Sequence, residues 1–131
     1  MKKINWPELL NWDEDMIKTL RTTGFYYYRQ GKYKLASVYY EALVLFNSSS
    51  LYDIRLLGAS YLMMGDSIKA LKHFDQALVL DPTDAMTQLN RVKAYLSLGQ
   101  VREALPALKI LRTSNNPTIA NDASALLLAY R

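Results

Sequence analysis

The chain has 131 residues, half of them hydrophobic, with 16 basic and 12 acidic side chains, a net charge of +4, one histidine and no cysteine. This length suits one domain that buries roughly two-thirds of its unfolded surface, and the lack of cysteine excludes disulfides, zinc–thiolate centres and cysteine nucleophiles. The charges are interspersed without a Lys/Arg block, which argues against nucleic acid, and no apolar run reaches the roughly 18 residues of a membrane span or resembles a signal peptide.

In chain order, residues 1–12 form an arm with one short helix, because Asn5 precedes Trp6-Pro7 and proline suits a first helical turn. Asn11 or Asp13 caps a helix reaching to about residue 30, with Glu14 and Asp15 where the helix dipole favours negative charge. Its apolar side carries Ile17, Leu20, Gly24, Tyr27 and Tyr28, and Gly31 ends it. Tyr33, Ala36, Tyr40 and Leu43 form the stripe of the next helix, to about residue 46, followed by a turn over Asn47-Ser48-Ser49-Ser50. A second hairpin spans 51–82, with Gly65-Asp66 as its internal turn and Pro82 as its stop. A third spans 84–113. Its Pro106 lacks a backbone donor and crowds the preceding turn, which predicts a late helix start or a kink near residues 102–106. Asn116 and Pro117 open a last helix over 117–131, with Ile119, Ala123, Leu126, Leu127 and Tyr130 apolar and Asp122 outward.

One period of 34 residues connects these elements. Tyr27, Gly31 and Ala36 return as Tyr61, Gly65 and Ala70, and again as Tyr95, Gly99 and Ala104; Gly24 and Gly58 are followed by Val92. Such self-similarity marks stacked helical units. Small residues let paired helices approach and bulky Tyr27, Tyr61, Phe74 and Tyr95 fill the space between, so the tyrosine column reads as packing rather than a platform for bases. At Ile54, Leu57, Gly58, Tyr61, Gly65, Ala70, Phe74, Ala77 and Pro82 the middle copy resembles the tetratricopeptide repeat family. The resemblance implies an all-α fold of three tandem hairpins in a right-handed solenoid, with repeats at 13–46, 51–82 and 84–113 and a capping helix at 117–131 that closes a single domain.

No catalytic constellation accompanies the repeat. His73 lies between Lys72 and Phe74 with no carboxylate set around it and reads as a surface residue. The glycines stand singly at turns rather than in phosphate-cradling runs, and Asp13-Glu14-Asp15 serves a helix start. The chain is therefore expected to be no enzyme and to need no cofactor or metal.

Members of the family receive an extended peptide or a partner helix in a concave groove lined by the first helix of each hairpin. By matching positions, the resemblance implies a groove of Lys18, Arg21, Phe25, Tyr28 and Arg29 from the first copy, Tyr52, Arg55, Ala59, Leu62 and Met63 from the second, and Met86, Leu89, Lys93 and Leu96 from the third. None is acidic, so the groove suits a segment that inserts apolar side chains and offers carbonyls or carboxylates to the cations. Phe25 and Ala59 stand where the family's carboxylate clamp has asparagine, which argues against a heat-shock-protein C-terminus as ligand.

Within the family, the runs YYYRQGKY, ASVYYEALVL and LYDIRLLGASYLMMGDSIKAL and the Ala/Leu-rich last helix resemble the small chaperones of bacterial type III secretion. That resemblance implies a cytoplasmic chaperone holding a translocator, needle or early export subunit, alone or with a co-chaperone. A scaffold that assembles folded partners is the alternative, and charge reversal at Arg21, Arg55 and Lys93 is expected to separate the two. Trp6, Leu9, Leu10 and Trp12 either cover the first hairpin or form a homodimer contact; no nucleic acid or membrane insertion is expected.

Overall fold

The computed structural model describes residues 12–130 together with Ile4 and Leu9, so the short helix expected within residues 1–12, with Trp6 and Leu10, lies outside the described residues. Seven helices follow one another there: α1 Glu14–Arg29, α2 Tyr33–Phe46, α3 Leu51–Met63, α4 Ser67–Leu80, α5 Ala85–Ser97, α6 Val101–Leu111 and α7 Pro117–Tyr130. The first six make three hairpins.

The Tyr–Gly pair at each hairpin bend is a helix stop. Gly31, Gly65 and Gly99 take φ of 77°, 86° and 75°, the left-handed region open to glycine at little cost. With that turn made, the amide of Lys32 donates to the carbonyl of Tyr27, that of Asp66 to Tyr61 and that of Gln100 to Tyr95, each at 2.9 Å. The glycine amides donate one residue further on, to Tyr28, Leu62 and Leu96, at 3.0–3.1 Å. These are the two bonds of a Schellman stop, and they use carbonyls that every helix end leaves free. The same turn delivers residues 32, 66 and 100 as the N-caps of α2, α4 and α6. Only Asp66 caps with its side chain, accepting from the Lys69 amide at 3.1 Å. Asp13 caps α1 in the same way, accepting from Met16 at 2.9 Å.

Pro106 neither delays nor breaks α6, which starts at Val101 and runs through the proline. The expectation of a late start is corrected. Both Pro106 and Arg102, whose carbonyl loses its donor, are exposed residues, where solvent can offset a lost bond. Pro117 sits in the first turn of α7, with Asn116 Oδ1 accepting from the Thr118 amide at 3.0 Å.

Helices of a hairpin meet through a small residue beneath a ring. A Cβ added to Gly58 would lie 2.6 Å from Phe74 Cε1, and one added to Gly24 would lie 3.1 Å from Tyr40 Cε2; both rings are fully buried. In the third hairpin Val92 takes the glycine's register and Leu108 the ring's, and both are buried in one cluster with Ala104 and Leu111. A larger residue on one helix is offset by a smaller one on the other, as close packing demands. Successive hairpins pack chiefly second helix on first, α2 against α3 and α4 against α5, and first helices also meet, α3 with α5 and α5 with α7. The first helices therefore line the inner side of the stack.

Candidate functional site

The inner side is not uniformly open. Lys18, Phe25, Arg29, Tyr52 and Met63 are exposed, Arg21, Tyr28, Arg55, Leu62, Met86 and Lys93 are half-buried, and Ala59, Leu89 and Leu96 are buried. Leu89 and Leu96 pack with Ile119 and Ala123 of α7 in the last core cluster. The capping helix thus covers the inner face of the third hairpin, and these two leucines belong to the core. Leu89 occupies the register of Arg21 and Arg55. That change from cation to leucine is the sequence signal that the third copy's inner face is covered.

Arg21 and Arg55 are also committed within the protein. Arg21 Nε donates to Asp53 Oδ1 and its NH2 group to Oδ2, both at 2.8 Å, and Asp53 is fully buried at the start of α3. This hydrogen bond, followed by the carboxylate's charge, raises the Arg21 pKa against the opposing cost of burial. Arg55 Nε lies 3.2 Å from Asp84 Oδ2, at the start of α5. Each arginine is thus tied to the next hairpin. Two acids underlie a face that sequence reasoning read as free of them, and charge reversal at Arg21 or Arg55 would disturb the stack as well as any ligand.

What remains accessible is a set of aromatic side chains with one methionine. The Arg29 guanidinium lies 6.0 Å from the Phe25 ring centre. Tyr52, 43% exposed, meets the fully buried Tyr40 edge to face at 6.4 Å. Tyr28 is similarly set against Tyr33 at 5.4 Å. Burial raises the Tyr40 pKa, reinforced by Tyr52, so that hydroxyl stays protonated. Met63, 54% exposed, completes the set beside half-buried Leu62. Rigid rings and adaptable methionine can make contact area at small entropic cost.

His73 is not on the surface, and that expectation is corrected: it is 8% exposed, stacked on the Tyr61 ring at 5.6 Å and 10°. Its register is Tyr39 in the first copy and Ala107 in the third, neither of them charged. Tyr61 in turn donates a short hydrogen bond to Glu41. Trp12 lies flat on Phe46, ring centres 4.0 Å apart, which covers the end of α2; Leu9 is exposed. Among the described residues no group of three His, Cys, Asp or Glu side chains could hold a metal, and no helix is long and apolar enough to cross a membrane.

Comparison with known proteins gives the fold first. Residues 54–84 match the tetratricopeptide repeat family model, and the whole described chain has the fold of a tetratricopeptide solenoid. More particularly, it is similar to the type III secretion translocator chaperone SycD of Yersinia enterocolitica, with a TM-score of 0.82 and 22% identity over 98% of this chain and 99% of that one. PcrH in complex with the chaperone-binding region of PopD matches at TM-score 0.82 and 23% identity, over 91% of this chain and 93% of that one. The first tetratricopeptide unit of Spaghetti (RPAP3) bound to an HSP90 peptide matches at 0.76 and 20%, over 89% and 94%. No curated protein matches the sequence.

Proposed function

We propose that this protein is a cytoplasmic chaperone that holds an extended apolar segment of a type III secretion subunit against the inner faces of α1 and α3. The observation that carries the reading is the set Phe25, Arg29, Tyr52 and Met63, exposed on the inner side of a fold that matches translocator chaperones end to end. PcrH, solved with the chaperone-binding region of PopD, is one such structure with a client segment bound. The client contributes side chains to a face of rings and methionine, and the cations left for its carbonyls on these two hairpins are Lys18 and Arg29. α7 limits the groove to the first two hairpins, since Leu89 and Leu96 lie beneath it.

Co-expression with translocator, needle and early export subunits, followed by co-purification and limited proteolysis, tests the reading. One subunit is expected to co-purify and to gain protease resistance. Tyr52→Ala with Met63→Glu should weaken the pair about a hundredfold, as loss of central anchors does; Met63→Glu alone should weaken it without moving the melting temperature, whereas Tyr52→Ala also gives up the contact with Tyr40. A complex untouched by these changes would favour a second reading, a scaffold binding through its outer face, where Ile68 and Val79 are 72% and 81% exposed.

A further inference from the structure

The 34-residue register continues past the third hairpin. In the second and third hairpins, Leu78 of α4, Val92 of α5 and Ala107 and Ile110 of α6 line one cleft, with α6 as its third wall. Thirty-four residues on, Leu78 becomes Arg112 and Val92 becomes Leu126, and α7 takes the place of α5. α7 is thus a first helix, and among the described residues no second helix pairs with it. The corresponding seam between α6 and α7 is an open cleft of about 510 Å³, lined by Leu105 and Lys109 of α6, Arg112 at its C-cap, and Ser124, Leu127 and Leu128 of α7.

The lining defines what fits. Residues 105, 109 and 112 form one stripe along α6 to its C-cap and residues 124, 127 and 128 one along α7, so the cleft runs with the helices and accepts a third lying along the seam. Its floor is leucine, with Leu128 67% exposed. Its rim is cationic: Lys109 and Arg112 are exposed, neither is in an ion pair among the described residues, and no acid lines the cleft. We infer that this seam is a second docking site, separate from the inner groove, for an amphipathic helix of a partner protein with acidic residues flanking an apolar stripe. The helix lies along the seam, its leucine-type stripe on Leu105, Leu127 and Leu128 and its carboxylates on Lys109 and Arg112. The site shares no residue with the inner groove and stands whether or not that groove holds an export subunit.

Two synthetic helical peptides of about 15 residues test this on the full chain, both with leucine at i, i+3, i+4 and i+7, one flanked by Glu and its twin by Lys. Fluorescence anisotropy should show the Glu peptide binding at least about tenfold tighter than the twin, with the difference shrinking as salt is raised. Lys109→Glu with Arg112→Glu should reverse that preference, and Leu128→Arg should weaken both peptides about tenfold, while Tyr52→Ala changes neither. Lys109, Arg112 and Leu128 are exposed, so unchanged melting temperatures are expected for their variants and are to be checked alongside. Equal binding of the two peptides, or binding indifferent to these changes, overturns the proposal. Self-association in sedimentation that Leu128→Arg abolishes would also overturn it, assigning the seam to a second copy of the chain.

Discussion

At Gly58 one methyl group decides between two opposing effects. Alanine in a helix interior gains about 1 kcal/mol over glycine, but here its Cβ would lie 2.6 Å from a ring that is fully buried and would have to shift. Overpacking of this kind costs about 1–3 kcal/mol, so Gly58→Ala should lower stability by about 1 kcal/mol, and Gly58→Leu should abolish cooperative unfolding. Urea midpoints measure both, and a stabilised Gly58→Ala would mean that Phe74 yields. The close fit was legible in the sequence because the spacing of small and bulky residues repeats. The burial of His73 was legible only in the registers at Tyr39 and Ala107, since neither neighbour in sequence, Lys72 or Phe74, settles it. Its pKa is lowered chiefly by burial; the Gln76 hydrogen bond and Glu41 oppose this and Lys72 and Lys69 add to it. The unfolded chain binds its proton near the ordinary value of about 6.5, while the folded chain resists until lower pH. The stabilisation is therefore complete above pH about 6.5 and is lost as pH falls from there through the lower folded value. Melting followed from pH 7.5 to 5 should decline, and the His73→Gln protein should decline less; parallel curves would place the titration elsewhere.

Among the helices, the repeated stop at Tyr27–Lys32, Tyr61–Asp66 and Tyr95–Gln100 has one weak place in two of its three copies. The backbone bonds are the same in all three, so what differs is the residue each stop delivers as the next N-cap. Asp66 caps α4, whereas Lys32 and Gln100 make no side-chain hydrogen bond to α2 and α6. Gln100→Asp should therefore add about 0.5–1 kcal/mol and raise the melting temperature by about 2–4 °C. Asp66→Ala should take away about 1 kcal/mol. If Gln100→Asp leaves calorimetric melting unchanged, the entry to α6 does not limit the third hairpin. Helix order and the glycine stops followed from local signals within five residues. The start of α6 at Val101 did not, because whether the amide missing at Pro106 matters depends on the surroundings of its lost acceptor, and Arg102 is an exposed residue.

Across the whole molecule, the features that sequence reasoning missed are those joining one hairpin to the next. Arg21 and Asp53 are 32 residues apart and Arg55 and Asp84 are 29 apart, so neither pair falls on the 34-residue period that organises the packing. Read singly, the arginines looked like ligand cations on an inner face; paired, they fasten α1 to α3 and α3 to α5. The two pairs differ in burial. Asp53 is inaccessible and is held by two hydrogen bonds, while Arg55 and Asp84 keep partial contact with water. Removing one partner of a buried pair costs about 3–5 kcal/mol, but Arg21 is 37% exposed and water screens part of its charge. Asp53→Asn should therefore cost about 1–3 kcal/mol, and Asp84→Asn less than about 1 kcal/mol. Because each unit of such a stack contacts only its neighbours, the loss at Asp53 should be local. Hydrogen exchange in Asp53→Asn should quicken in α1 and α2 while α5 to α7 keep their protection. Restoring the charge-free fit with Arg21→Met in the same chain should recover part of the loss, since a pair replaced as a whole leaves no stranded guanidinium. Exchange that quickens uniformly along the chain would show instead that the three hairpins unfold as one unit, and that the Arg21–Asp53 pair is no boundary within it.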